Sequence, residues 1–424
     1  MKRIVIVGGG WAGCAAAIAC KKFDLDVLLI ERTDMLLGTG LVGGIMRNNG
    51  RYTASEEMIA LGGGDLFSIC DKNSRHININ FPGHKHASLY DIVKTHGEVF
   101  NLIKKMGIDL RLNSRIVKVE KKDNNITSIE DEKGNTYNGD VFIDATGTAG
   151  PIKNCSKFGN GCAMCIIRCP SFKGRVSLTG LSGIDELTAK KKDGSFGAMS
   201  GSCKILKESL NKDIQNELNT KGVSIIAIPE NLKEDKLDIK ACQQYALKEY
   251  SDNLILLDTG HAKLMSPFYN LDKLRKIPGL ENSRYEDPYT GGLGNSMRFF
   301  DMAPRDDYMK VIGIDNLFCC GEKAGLLVGH TEAIVTGVLA GYNSVRYIFN
   351  KDLFKIPNNL ATGDAISYVN NQMSSKEGIN KKYTFSGSVY FERMKRKGLY
   401  NVDKSKISKT IKSMGLENIF MKLI

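Results

Sequence analysis

The sequence predicts an α/β protein: a discontinuous Rossmann-like FAD/NAD(P)-binding domain with an inserted α+β substrate domain and a basic C-terminal extension. Three observations predict it. A G-x-G-x-x-G turn, Gly8-Gly9-Gly10-Trp11-Ala12-Gly13, lies between a β-branched run and an alanine-rich stretch. Two further apolar runs end in glycine, at Gly147 and Gly321. A surplus of Lys and Arg gathers after Gln372. The 424 residues suit two or three units at about 100–200 residues each. The expected boundaries are 1–150 and 311–350 for the nucleotide-binding domain, 151–310 for the substrate domain and 351–424 for the extension. With 42% hydrophobic and 25% charged residues, wholesale disorder, collagen and coiled coil are excluded.

Arg3 to Val7 reads as a buried parallel strand. The first glycine of the turn makes it tight, the second lets backbone touch a pyrophosphate, and the third lets helix and strand pack closely. The helix from Cys14 to Lys22 offers free N–H groups and partial positive charge to phosphates. Val27 to Ile30 is the second strand, and Glu31, eighteen residues beyond Gly13, suits a ribose hydroxyl. Ser88 to Met106 has helical spacing. Ile116 to Lys121, Ile126 to Glu130 and Thr136 to Tyr137 read as a small antiparallel sheet. Val141 to Asp144 is a strand entering an Ala145-Thr146-Gly147 turn. Leu317 to Cys320 is another, ending in Gly321-Glu322, and Thr331 to Arg346 reads as a helix.

Those last pieces resemble the FAD-binding segments of the two-domain flavoproteins related to glutathione reductase and fumarate reductase. The resemblance implies FAD as cofactor, a Thr-Gly turn passing near it, an acid after Gly321 on the ribityl chain, and a last helix aimed at the flavin pyrimidine. It also implies that the loop through Gly38-Thr39-Gly40 runs past the pyrophosphate. The expected cofactor-binding set is Gly8, Gly10, Ala12, Gly13, Glu31, Arg32, Gly38, Val117, Ala145, Gly147, Gly321, Glu322, His330 and Thr331. Most members carry Asp where Glu322 stands, one carbon shorter. No catalytic residue is assigned.

Ile277 to Asn282, Asn316 to Glu322, Thr331-Glu332-Ala333 and Gly337 to Asn343 are similar to the glucose-inhibited division A flavoproteins and the folate-dependent tRNA uridine methyltransferases. Ala361 to Tyr368 adds to the second likeness. This implies an alternative function, modification of uridine in tRNA or rRNA. Those enzymes use a cysteine in the loop after the second strand, and Leu36 to Gly50 holds none, which speaks against methyl transfer by that thiol.

Eleven cysteines, without disulfide-like spacing, point to a reducing cytoplasm. Four of them, Cys155-x6-Cys162-x2-Cys165-x3-Cys169-Pro170, repeat the end of the bacterial ferredoxin run. A [4Fe-4S] cluster held by these four thiolates is the leading reading. Structural zinc, redox-active thiols and ordinary buried cysteines are its alternatives. A cluster beside a flavin would pass single electrons from a donor protein, and no second G-x-G-x-x-G marks an NAD(P)H site.

The net charge is +12, and twelve basic against four acidic residues from Gln372 to Ile424 supply most of it. That tail reads as a basic amphipathic helix broken near Gly415. It docks on the protein itself by default, and RNA is the alternative partner. Three consecutive glycines argue against a signal peptide after Lys2-Arg3, and no stretch reaches the ~18 apolar residues of a membrane span. His84 and His86 read as an exposed loop pair, Cys203 as structural, Cys319 and Cys320 as core, and Trp11 as shielding packing. Arg298, Arg305 and Asp306-Asp307 are candidates to face the unidentified substrate.

Overall fold

A computed structural model describes residues 2–149, 172–190, 194, 198–199, 202–234, 237, 245–266, 269–286 and 297–423. In chain order, β1 (Arg3–Val7), α1 (Trp11–Lys21) and β2 (Asp26–Ile30) come first. A short β3 (Ile45–Met46), α2 (Gly50–Ala60), α3 (Asp65–Lys72) and the hairpin β4 (Ser74–Phe81) and β5 (His84–Tyr90) follow. Next are α4 (Ile92–Lys105), β6 (Asp109–Arg111), the meander β7 (Ile116–Lys122), β8 (Asn125–Asp131) and β9 (Thr136–Asn138), and then β10 (Val141–Asp144). The middle of the chain adds β11 (Cys203–Ile205), α5 (Lys212–Lys221), β12 (Val223–Ala227), β13 (Asn253–Asp258) and β14 (Ala262–Leu264). The chain finishes with β15 (Leu317–Cys319), α6 (His330–Ile348), α7 (Ala361–Met373), α8 (Ser388–Arg396) and α9 (Lys404–Ser413).

A parallel sheet in the order β15-β10-β1-β2-β6 is assembled from the first and last parts of the chain. Val7 pairs with Ile30 on one side and Asp144 on the other, and Asp144 pairs with Cys319. The carboxyl ends of these four strands are therefore in register. The glycine turn, Glu31, Thr146-Gly147 and Cys320-Gly321 leave one sheet edge side by side, the edge where open α/β sheets bind ligands. Helices α1 and α6 cross one face closely. A Cβ on Gly337 would stand 2.3 Å from the Ala12 carbonyl oxygen, and one on Gly341 would stand 2.5 Å from that of Ala16.

A second sheet is antiparallel, in the order β11-β14-β13-β12. The two-residue period of a strand splits β13 between two cores. Leu254 and Leu256 pack with Leu218 of α5 and with Leu274. Ile255 and Leu257 pack with Ile45, Phe81, Ala87 and Leu89. The 74–90 hairpin thus joins the N-terminal part of the chain to the second sheet.

That hairpin is absent from the sequence reading. Ser74–Phe81 alternates without burying much, so its pairing depends on β13 rather than on local pattern. The helix expected from Ser88 starts at Ile92 instead. Asp91 caps it by accepting the Lys94 amide at 3.0 Å, and residues 88–90 complete β5. His84, expected to be exposed, is 2% exposed. Gly83 takes the turn at φ +76°, which sends His84 back into the hairpin between Phe81 and Tyr245, at ring separations of 4.8 and 4.7 Å. The meander over 116–138 matches its expectation.

The basic tail is docked on the protein. Ile407 and Ile411 of α9 are buried, and Gly415 turns the chain at φ +72°. Phe420 then packs against Tyr342 at 5.2 Å. The Asn418 and Phe420 amides donate to the carbonyls of Ala60 and Leu61 at the end of α2. The lysines of α9 stay on its outer face. Among the described residues, no helix is long and apolar enough to cross a membrane.

Candidate dinucleotide cleft

The aligned strand ends open into a cleft. Its walls include Gly8, Gly10, Ala12, Glu31, Arg32, Gly38, Ala145, Gly147, Gly321, Glu322 and His330, eleven of the expected fourteen cofactor residues. The other three stand elsewhere. Gly13 lies beneath the cleft, where a Cβ would come within 1.8 Å of the Gly8 carbonyl oxygen. Thr331 is buried behind His330, with its hydroxyl 3.1 Å from the Met46 sulfur. Val117 is not brought to the cleft. Strand alternation turns Ile116 inward and leaves Val117 38% exposed on the outer side of β7.

The cleft fits an extended dinucleotide on its own geometry. A Cβ on Gly10 or Gly147 would meet no atom within 4 Å, so open space lies directly over both backbones. The N-terminus of α1 faces that space. At one end the Glu31 carboxylate accepts the Gly9 amide at 2.7 Å and the Thr33 amide at 2.8 Å. The acid therefore braces the glycine turn while lining the cleft. On the opposite wall, buried Asp144 fixes the Thr-Gly turn. One oxygen accepts the Thr146 amide and hydroxyl at 3.1 and 2.6 Å; the other accepts the Thr179 amide and hydroxyl at 2.8 and 2.7 Å.

The far end is richer in charge than the sequence suggests. Glu322 accepts a hydrogen bond from the Thr148 hydroxyl and pairs with Arg298. His330 is the first residue of α6 and is half-buried at the cleft wall, 3.4 Å from the Tyr90 hydroxyl and 6.2 Å from the Trp11 ring. Burial, with the charges of Arg51, Arg298 and Lys263, holds its imidazole well below the usual histidine range. Lys263 donates to the Ser202 hydroxyl at 2.7 Å and to the Val42 carbonyl. Arg51 pairs with Glu332 at 3.0 Å, and Glu332 also accepts from the Thr384 hydroxyl and the Phe385 amide at 2.6 and 2.9 Å.

Sequence reading missed Thr148, Gly329, Lys263, Arg51 and Glu332. Thr148 and Gly329 adjoin Gly147 and His330 in the chain, whereas Lys263, Arg51 and Glu332 reach that end only through partners distant in the chain. Cys155, Cys162, Cys165 and Cys169 lie outside the described residues. Among the described residues, no group of three or more His, Cys, Asp or Glu is placed to hold a metal. Cys319 and Cys320 are buried, as expected, and so is Cys203.

His330 and His261 give a pH dependence with a definite sign. Burial and the nearby Lys204 and Lys263 also hold His261 well below 6.5. The unfolded chain takes up protons at about pH 6.5 while the folded chain does not. Stability is full above that pH and is lost as pH falls through the window below it, by about 1.4 kcal/mol per unit for each histidine. Urea unfolding at pH 7.5 and 5.5 reads this loss. Replacing both by Gln flattens the dependence, and an unchanged slope contradicts the assignment.

The chain resembles known proteins over most of its length. The sequence profile of the family described as glucose inhibited division protein A matches residues 3–255 and 265–352. The methylenetetrahydrofolate–tRNA-(uracil-5-)-methyltransferase TrmFO of Fervidobacterium nodosum is 31% identical over 101 residues, 23% of this chain and 22% of that protein. The same enzyme from Caldicellulosiruptor bescii is 30% identical over 112 residues, 26% of this chain and 24% of that protein. These matches span about a quarter of the relatives' length. GidA of Aquifex aeolicus shares the fold, with a TM-score of 0.68 at 16% identity over 98% of this chain and 73% of that one. A second crystal form gives 0.60 at 14% identity, over 97% and 78%.

Proposed function

This chain belongs to the glucose-inhibited division protein A family, and from that premise we propose that it is an FAD-dependent oxidoreductase. The observation that carries the proposal is the cleft, open over Gly10 and Gly147 and continuous from Glu31 to His330. When bound, FAD supplies hydride or two-electron chemistry. The residues of the chain do the rest. The α1 N-terminus and the Gly8–Gly10 backbone would hold the pyrophosphate, and Glu31 would take a ribose hydroxyl with the lone pairs that Gly9 and Thr33 leave open. Glu322 would face the ribityl chain. The N-terminus of α6, with a neutral His330, would meet the far ring, where Trp11 and Tyr90 would help to exclude water.

Substrate enters from the 151–310 part of the chain, which we take to be the substrate domain. A [4Fe-4S] cluster at Cys155, Cys162, Cys165 and Cys169 belongs to this proposal as its one-electron inlet. It is supported by spacing alone. Iron and acid-labile sulfide near four each per chain, lost on Ala replacement of these cysteines, are the expected result. Zinc alone, or no metal, removes the cluster from the account. The oxidoreductase reading itself is tested by anaerobic titration: visible flavin bands bleach with reductant and return with a two-electron acceptor. Bands that do not respond contradict it.

A second reading, uridine modification in RNA, is favoured by the TrmFO matches and by the outward lysines of α9. It expects nucleic acid to copurify and to be shed as salt rises, since phosphate contacts release counterions. Protein free of nucleic acid that does not retard tRNA or rRNA at low salt excludes that reading.

A further inference from the structure

Arg298 and Glu322 meet at the far end of the cleft in an arrangement that the fold alone does not require. Arg298 is 5% exposed. Its Nη1 pairs with Glu322, and Glu322 lines the cleft with its second oxygen taking the Thr148 hydroxyl. Its backbone lies against the same wall: Arg298 bridges Ala149, and the Phe299 amide donates to the Thr148 carbonyl at 2.8 Å. The Arg298 Nε–H, though buried, has no acceptor among the described residues. Arg298 itself stands behind the cleft wall, and its charge meets the cleft through Glu322, which lines it. The guanidinium is also close enough to His330 to disfavour its protonation, which places its charge at the flavin end of the cleft and away from Glu31.

We propose that Arg298 and Glu322 are an opposed charge pair at the cofactor, which together set how readily the bound flavin accepts electrons. The inference rests on the FAD reading. Reduction adds negative charge to the ring. Arg298, permanently charged, favours that charge from behind Glu322. Glu322 opposes it and is restrained by Arg298 and Thr148. The pair therefore acts as a two-sided setting, and each member pulls the equilibrium its own way. A simple brace for the Thr148 turn would not do this.

The test is the midpoint potential of the purified holoprotein, read against a reference dye, with FAD content measured on the same samples. Arg298→Met leaves the Glu322 carboxylate unopposed, and the reduction equilibrium is expected to fall tenfold or more, about 30 mV for a two-electron couple. Glu322→Gln leaves Arg298 unopposed, and the shift is expected in the opposite direction. Arg298→Lys restores the charge and returns the potential toward that of the parent. Opposite shifts support the pair. Unchanged potentials, or shifts of the same sign, overturn it, and equal loss of FAD from both variants reduces it to a brace. A parent protein without FAD is a different outcome, because it overturns the FAD reading itself.

Discussion

Gly13→Ala is expected to prevent folding or lower stability severely, whereas Gly10→Ala is expected to fold and lose its flavin. The two glycines sit three residues apart in one turn and differ in what surrounds them. A Cβ on Gly13 would stand 1.8 Å from the Gly8 carbonyl oxygen and 3.3 Å from the Ala145 Cβ. Both belong to the strand ends that build the cleft, so neither can swing aside like a flexible side chain. Overpacking usually costs about 1–3 kcal/mol, and a clash with backbone belongs at or beyond the top of that range. Gly10 has φ −68° and nothing within 4 Å of its would-be Cβ. Alanine there costs within about 1 kcal/mol, since Gly10 is the N-cap of α1 and Ala is a poorer cap. The added methyl projects into the space assigned to the pyrophosphate. Flavin affinity should fall more than tenfold, about 1.4 kcal/mol. Thermal unfolding and flavin content, measured on both variants, separate the effects. A Gly10→Ala protein with full flavin would show that the cofactor does not lie over that backbone.

Glu332→Ala is expected to cost about 3–5 kcal/mol, the usual loss when one partner of a buried ion pair is removed. Glu332 is fully buried in the first turn of α6, and its carboxylate serves Arg51, the Thr384 hydroxyl and the Phe385 amide together. Its removal leaves the buried Arg51 charge without its carboxylate and frees the 384–386 segment from the helix that presents His330. Glu332→Gln keeps an acceptor for Phe385 and should lose less. The double replacement Arg51→Met with Glu332→Leu should also lose less than Glu332→Ala, because no charge stays buried alone. Urea unfolding of the three proteins checks the order. Equal losses in all three would mean that the pair contributes through packing only.

These two predictions mark what the sequence could and could not disclose. The glycine turn was legible because its constraints are local: strand, turn and helix are contiguous, and each glycine answers to backbone within a few residues or to the next strand. The Thr-Gly and Gly-Glu turns were legible for the same reason, since strands that end in register bring their turns together. The Arg51–Glu332 pair was not legible, because its partners lie 281 residues apart. Arg298 reads in the sequence only as a candidate substrate contact, and its place beside Glu322 comes with an isolated bridge to Ala149 that no local pattern announces. His84 is not legible as buried, because a Pro-Gly turn with lysine beside it reads as surface while the rings that enclose it, Phe81 and Tyr245, come from the hairpin and from a distant part of the chain. Val117 stands on the outer side of β7, because neighbouring strand positions present opposite faces. The tail was read correctly as amphipathic, and the burial of Ile407, Ile411 and Phe420 shows that its apolar side is used within the chain.

The cleft's occupant is the point on which the rest depends. The protein should be purified, denatured, and its released cofactor identified by mass and quantified against the chain. FAD near one per chain is the expected result and would place Glu31, Gly10, Gly147 and Glu322 around it. A protein that releases no flavin, and takes none up when FAD is supplied, would contradict the assignment of this cleft.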